Sequence, residues 1–375
     1  MNLFRTSFLV LFGWMLISSC SRTKSGDTPL PKSRGEALYV TTDNNNLISY
    51  DLNNGNRRWE VSFKGACVGT TIIHKKRLYA LTNNGYLYCI NLVDGSIVRE
   101  IPTGLAIPSP STFENNSLAA IDNKIIIAAD QLYAYDTLGV SLWNYDPGGY
   151  CTTSPAIKNN KIFVCATQRC HCVDLSGNVI WTSAQVGTDI FSSPTINNGL
   201  VYFGADDKKV YALSESTGLE VWNYATQDDV ISSPMVYGGM CVVGSNDLSV
   251  HCIDTTTGKV RWTYPTKERV ISSPTVHEKS NTIIVGSYDF NLYGIDHVTG
   301  LLKWKYPAGS LIKSSPVVYY DLVYFTAFDR YTYCVNAQTG DLVWKSFTNG
   351  NCQASPVIDD LSAGIYPGIS GMSKY

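Results

Sequence analysis

Eleven cysteines and five histidines are the groups of this 375-residue chain best suited to nucleophilic, redox or metal chemistry, and their spacing limits how much of it to expect. Cys20 stands apart, at the end of an apolar leader. Of the other ten, Cys89, Cys172, Cys252 and Cys334 fall in the register held by Ala134, Ala212 and Gly294 in an internal repeat, which marks them as small core fillers. Cys67, Cys151 and Cys352 share a second register, at the start of the innermost strands. Cys67 and Cys352 then lie on neighbouring units across the closing seam, where a disulfide can form if their Cα atoms come within about 7 Å. No Cys/His spacing resembles a zinc site, and Cys170-His171-Cys172 on one strand would point its side chains to alternate faces, away from any single metal. His171 and His251 take the register of Tyr88, Tyr211, Tyr293 and Tyr333, a packing position. No nucleophile elbow, phosphate loop or calcium loop is evident, so neither a catalytic site, a metal nor a cofactor is expected.

The repeat that sets these registers is a glycine followed four residues later by tryptophan, at a period near 40: Gly55/Trp59, Gly139/Trp143, Gly177/Trp181, Gly218/Trp222, Gly258/Trp262, Gly300/Trp304 and Gly340/Trp344. An eighth copy keeps Gly95 but carries Arg99. That period is one four-stranded blade with its turns, so eight copies predict an all-β, eight-bladed propeller of four-stranded antiparallel blades. Ser-Pro follows most of the tryptophans by about 11 residues, as at Ser193-Pro194, Ser233-Pro234 and Ser273-Pro274. Between them lie short runs rich in Val, Ile and Tyr, bounded by turn residues, as strands are. The Asp of Asp254-Thr255-Thr256-Thr257-Gly258 is expected to cap its turn, with the Gly at positive φ. Each tryptophan is expected to pack between blades and donate its indole N–H to a loop carbonyl.

The composite Ser192-Ser193-Pro194, Val201-Tyr202-Phe203-Gly204, Val210-Tyr211-Ala212-Leu213 and Thr217-Gly218 to Trp222 resembles the repeat of the PQQ-like β-propeller family. The likeness covers roughly residues 37 to 358 and implies the fold. In build the chain is most similar to the BamB-type outer-membrane assembly lipoproteins of that family. Function does not follow from the fold, because the family also contains quinoprotein dehydrogenases and non-catalytic ectodomains. Those dehydrogenases carry adjacent cysteines near their cofactor, and this chain has no Cys-Cys pair.

The ends of the chain predict how the ring closes. Ala37-Leu38-Tyr39-Val40 reads as a second strand with no innermost strand before it, and Ala354-Ser355-Pro356-Val357-Ile358 supplies that strand. Pairing the C-terminal strand into the first blade removes an exposed edge. Ile365-Tyr366-Pro367-Gly368, in a tail from 359 to 375, resembles a further second strand that is either vestigial or competes with residues 37 to 40. At the other end, residues 1 to 19 read as a signal peptide whose apolar stretch is too short to span a bilayer. Ile17-Ser18-Ser19-Cys20 resembles a bacterial lipobox, which implies acylation at Cys20, a flexible tether over residues 20 to 36 and an outer-membrane location.

A net charge of −2 with only 16% charged residues gives no basic stripe, so nucleic acid is not an expected partner. A propeller gathers its outer-to-inner connections on one face. There one register gives Asp189, Asp229, Arg269 and Leu311 in four consecutive blades, flanked by Asp228, Lys267, Glu268 and Lys313. Mixed charge at a channel mouth suits polar recognition, while the plainer alternative is a solvated rim with Asp229 and Arg269 paired. The function expected is a lipid-anchored, non-catalytic scaffold for envelope proteins. A cell-surface binder of carbohydrate or another small ligand, and a PQQ-dependent dehydrogenase, stand as alternatives.

Overall fold

The computed structural model describes residues 36–67, 69–105, 118–151, 153–187, 189–360 and 364–365. Eight antiparallel sheets form the blades. Blades 2 to 8 span 72–102, 118–145, 156–182, 195–225, 235–265, 275–307 and 317–347, each running from its innermost to its outer strand. Blade 1 takes three strands from residues 37–62 and its innermost strand, Val357–Asp359, from the far end of the chain. The eight innermost strands neighbour one another in a closed ring.

Burial explains the strand sequences. The second and third strands of a blade lie between two neighbouring blades, so Leu200–Ala205 and Lys209–Ser214 are buried on both faces and read as continuous apolar runs. The outer strand Glu220–Ala225 buries only Trp222 fully. In every blade the pairing of third and outer strands shifts register just after the tryptophan position. That bulge sets the indole opposite a small residue: Ser49, Ala134, Cys172, Ala212, Cys252, Gly294 or Cys334. Space demands it, since a Cβ on Gly294 would lie 2.2 Å from the Trp304 ring.

The tryptophans tie each blade to the next. Their Nε1–H groups donate to the carbonyls of Leu92, Leu175, Glu215, Thr255, His297, Ala337 and, across the closure, Leu52, at 2.9–3.2 Å. The repeat glycine of the following blade lies against the ring. Gly258, at φ +68°, would set a Cβ 2.9 Å from Trp222, so only glycine fits without strain. Arg99 makes the equivalent bond, its guanidinium donating to Thr137 O at 3.2 Å, so the eighth join keeps the donor without the indole.

A second belt runs nearer the axis. The hydroxyls of Ser193, Ser233, Ser273, Ser315 and Ser355 accept the backbone N–H of Ser154, Ser193, Ser233, Ser273 and Ser315 in the preceding blades, at 2.9–3.0 Å. The proline that follows sits at the head of an edge strand, where no ladder bond needs its N–H. Ser109-Pro110 lies outside the described residues.

Closure occurs as expected: Leu38 pairs with Ile358 and Tyr39 with Val357. Of the tail, residues 361–363 and 366–375 lie outside the described residues. Its described residues Gly364–Ile365 pair with the free edge of Val357–Asp359 and make a fifth strand on blade 1. No helix among the described residues is long and apolar enough to cross a membrane.

Candidate functional site

The connection into each blade is pinned by a backbone bond from the tip of that blade's own hairpin. Asp206 N–H donates to Asp189 O, Asn246 to Asp229 O, Tyr288 to Arg269 O and Phe328 to Leu311 O, at 2.9–3.1 Å. These bonds put Asp189, Asp229, Arg269 and Leu311 in one register around a single face. The residue after each one, Ile190, Val230, Val270 and Ile312, is buried. Val230, Val270 and Ile312 plug against Gly204, Gly244 and Gly286, where a Cβ would clash at 2.3 Å. Each plug holds its rim residue at the surface.

Charge divides this rim into arcs. Over blades 5 and 6, Asp189, Asp228 and Asp229 come from two connections and gather about Asp206 and Asp207 on a hairpin. Partial burial, and then the neighbouring carboxylates of Asp229, Asp189, Asp207 and Asp228, push the Asp206 carboxyl up to about 7. Asp229 is raised as well, by burial and by Asp228. Lys208 offers a counter-charge to Asp228 at 3.6 Å. One carboxylate oxygen each of Asp206 and Asp207, and the amide oxygen of Asn246, are buried without a hydrogen-bond partner among the described residues.

At the connection into blade 7 the rim becomes mixed in charge, with Glu268 exposed between Lys267 and Arg269. Lys267 and Arg269 are exposed, and Arg269 lies over the Tyr288 ring, 5.5 Å from its centroid. The ion pairs among the described residues do not join Arg269 to Asp229. Lys313, partly buried, donates to Gln353 Oε1 at 3.3 Å, on the connection into blade 1.

The other chemically capable residues serve packing. Asp254 accepts the N–H groups of Thr256 and Thr257 and pairs with Arg261, which holds its carboxyl down at about 2. His171 and His251 sit in the tyrosine register, where Tyr145 and Tyr224 meet their Nδ1 atoms. Cys67 and Cys352 are free thiols, not a disulfide. They lie on opposite faces of blade 1: Cys67 packs into the core shared with blade 2, and Cys352 into the core shared with blade 8. Cys20 lies outside the described residues.

One set of rim residues is not among those the sequence singled out. Asp247, Asp289 and Asp329 sit on hairpin tips, bind His251, Tyr293 and Tyr333, and accept the N–H of Gln227, Lys267 and Gly309 from the incoming connection. Their signal is an Asp four residues before the aromatic or His of the third strand.

A family model described as outer membrane protein assembly factor BamB matches residues 17–174, 129–273 and 249–368. No curated protein matches the sequence. Among solved structures, BamB from Moraxella catarrhalis is 18% identical over 70% of this chain and 80% of its own, with a TM-score of 0.56. The computationally designed Ika8 protein is 15% identical over 82% of this chain and 97% of its own, at 0.68. A europium-containing methanol dehydrogenase is 14% identical over 78% and 82%, at 0.63. At these identities the structures share a fold, whereas the family matches overlap from residue 17 to residue 368. The chain belongs to the PQQ-like propeller family described as outer membrane protein assembly factor BamB.

Proposed function

We propose that this protein is a lipid-anchored, non-catalytic scaffold of the bacterial cell envelope, tethered to the outer membrane through Cys20, whose charged rim docks an envelope protein. The rim carries the reading. Carboxylates crowd together over blades 5 and 6, with buried oxygens that have no hydrogen-bond partner among the described residues, beside the exposed cations Lys267 and Arg269. A cationic group of a partner would relieve that crowding, and a matching acidic group would meet Lys267 and Arg269. Family membership and the lipobox-like leader support the envelope setting. The non-catalytic part rests on the described cysteines, which are free thiols set within the blades, and on His171 and His251, which occupy the tyrosine packing register.

The test is recovery of partners from detergent-solubilised membranes with Asp189→Lys, Asp229→Lys and Arg269→Glu combined. Asp189 and Arg269 are exposed and Asp229 is only partly buried, and charges at such surface positions contribute only about 0–1 kcal/mol to stability, so the variant should fold. Reversal at a docked interface should cost about 2–5 kcal/mol of binding and deplete the partners. A folded variant that recovers the same partners at the same yield overturns the rim assignment. Cys20→Ser should abolish acyl labelling, and an unchanged mature mass and membrane fraction would reject the anchor. Turnover of an alcohol or sugar that depends on added PQQ would replace the scaffold with an enzyme.

A further inference from the structure

In blade 4 the second strand, Lys161–Ala166, and the third, Arg169–Asp174, are joined by Thr167 and Gln168, and Cys165 stands directly opposite Cys170. Neither residue spends its backbone on the other. Cys165 N–H donates to Thr153 Oγ1 at 3.0 Å, and the Thr153 hydroxyl donates back to Cys165 O at 3.1 Å. Cys170 N–H donates to Ser183 Oγ at 3.0 Å, and Cys170 O accepts Ser183 N–H at 2.9 Å. They are therefore a non-hydrogen-bonded pair, the closer of the two antiparallel kinds, with Cα atoms about 4.5 Å apart. A disulfide needs Cα atoms about 4.4–6.8 Å apart. Both residues are buried in the core between blades 4 and 5, and both thiols are free.

Propeller packing does not ask for sulfur here. Four sister blades fill this register with a small residue opposite an aliphatic one, Ala128 and Leu132, Gly204 and Val210, Gly244 and Val250, Gly286 and Leu292, while blade 2 pairs Leu81 with Leu87 and blade 8 pairs Thr326 with Thr332. The cysteines beside the tryptophans differ, because there any small side chain serves.

We propose that Cys165 and Cys170 are a dithiol that closes to a cross-strand disulfide under a low-molecular-weight disulfide oxidant such as oxidised glutathione. The thiolate of one cysteine attacks a sulfur of the oxidant and expels one thiol, leaving a mixed disulfide. The second cysteine displaces the other thiol. The Cys165–Cys170 bond forms, the oxidant's S–S bond breaks, and both protons leave on the two reduced thiols. Burial holds the Cys165 thiol well above its ordinary value, so the closed blade holds little thiolate. Reaction is thus fastest while the hairpin is open. The pair lies one step inside the closing pair Ala166 and Arg169, beneath a turn that holds the β-branched Thr167 at φ +48°.

Protein refolded in a mixture of reduced and oxidised glutathione, then quenched with iodoacetamide and mapped by proteolysis and mass spectrometry, decides the matter. The expected result is two fewer alkylatable thiols than in a fully reduced control and a linked peptide pair containing Cys165 and Cys170. Cys165→Ala and Cys170→Val, the residue types of sister blades, should each abolish that linkage. A full complement of thiols in folded wild type, or bridges formed only elsewhere, overturns the proposal, and the wild-type map decides even if a variant fails to fold.

Discussion

Replacing Trp222 by phenylalanine and, separately, by alanine should divide the contact between blades 5 and 6 into its two parts. The indole is buried, its Nε1–H donates to Thr255 O at 2.9 Å, and its ring covers Gly258 of the next blade. Phenylalanine keeps a ring over Gly258 but removes the donor, leaving Thr255 O without that bond, at a cost of about 1–3 kcal/mol. Alanine also removes the packing and leaves a cavity that close neighbours cannot fill, at about 3–5 kcal/mol. The ring of blades unfolds as one unit because no blade buries its faces alone, so urea titration followed by far-UV circular dichroism should show a single transition. Its midpoint should fall in the order wild type, Phe, Ala with one common slope. An alanine variant within about 0.5 kcal/mol of wild type, the range of an ordinary surface change, would refute the claim that tryptophan joins the blades. A Phe variant as unstable as the Ala variant would show that the hydrogen bond, not the packing, carries the contact.

Ser233→Ala removes the hydroxyl that accepts Ser193 N–H at 3.0 Å, and should lower stability by about 1 kcal/mol in the same titration. No loss would mean that water replaces the hydroxyl and that the serine belt is incidental. Asp206 is a pH test. Its folded value near 7 lies above the ordinary 3.8, so the folded protein keeps a proton that the unfolded chain releases between those values. The stability it contributes is complete below the lower value and is lost as pH rises through the upper one. Asp206→Asn should flatten stability against pH across that window and leave the variant more stable than wild type at alkaline pH. A pH profile identical to wild type would discard the crowded-carboxylate account.

Periodicity made the blades legible because each repeat reports the same local physics. Glycine spacing gave the blade count, and the orphan strand at residues 37 to 40 predicted the partner at Val357–Asp359. What periodicity could not show is which groups meet across blades. Ser-Pro was visible, yet its hydroxyl belt depends on backbones about 40 residues apart lying side by side. Arg99 looked like a lost tryptophan, whereas it keeps the donor to the next blade. Cys67 and Cys352 share a register and adjoin the seam, but equal register also means equal facing: each thiol turns towards its preceding blade, and blade 1 separates them. Asp206 passed unnoticed because the carboxylates that perturb it arrive on two connections, from residue 189 and from residues 228 and 229.

Departures from the repeat are not spread evenly round the ring. On the hairpin of blade 4, Thr167 stands four residues before His171, where Asp247, Asp289 and Asp329 stand before their partners, and His171 Nε2 is buried without a hydrogen bond. The same hairpin carries the facing cysteines. On blades 5 and 6, unpaired buried oxygens belong to Asp206, Asp207 and Asn246, and Ser192 adds another where the chain enters blade 5. Elsewhere such atoms are scattered, on Thr42, Ser49, His297 and Thr332. A repeat protein can satisfy every copy of a hydrogen-bond device with the same residue, so an arc in which several copies go unsatisfied is where constraints other than folding have acted. That arc overlaps the acidic part of the rim. If the proposed scaffold role holds, a partner should be sought over blades 4 to 6 first, with Asp189, Asp228 and Asp229 as the charges to test.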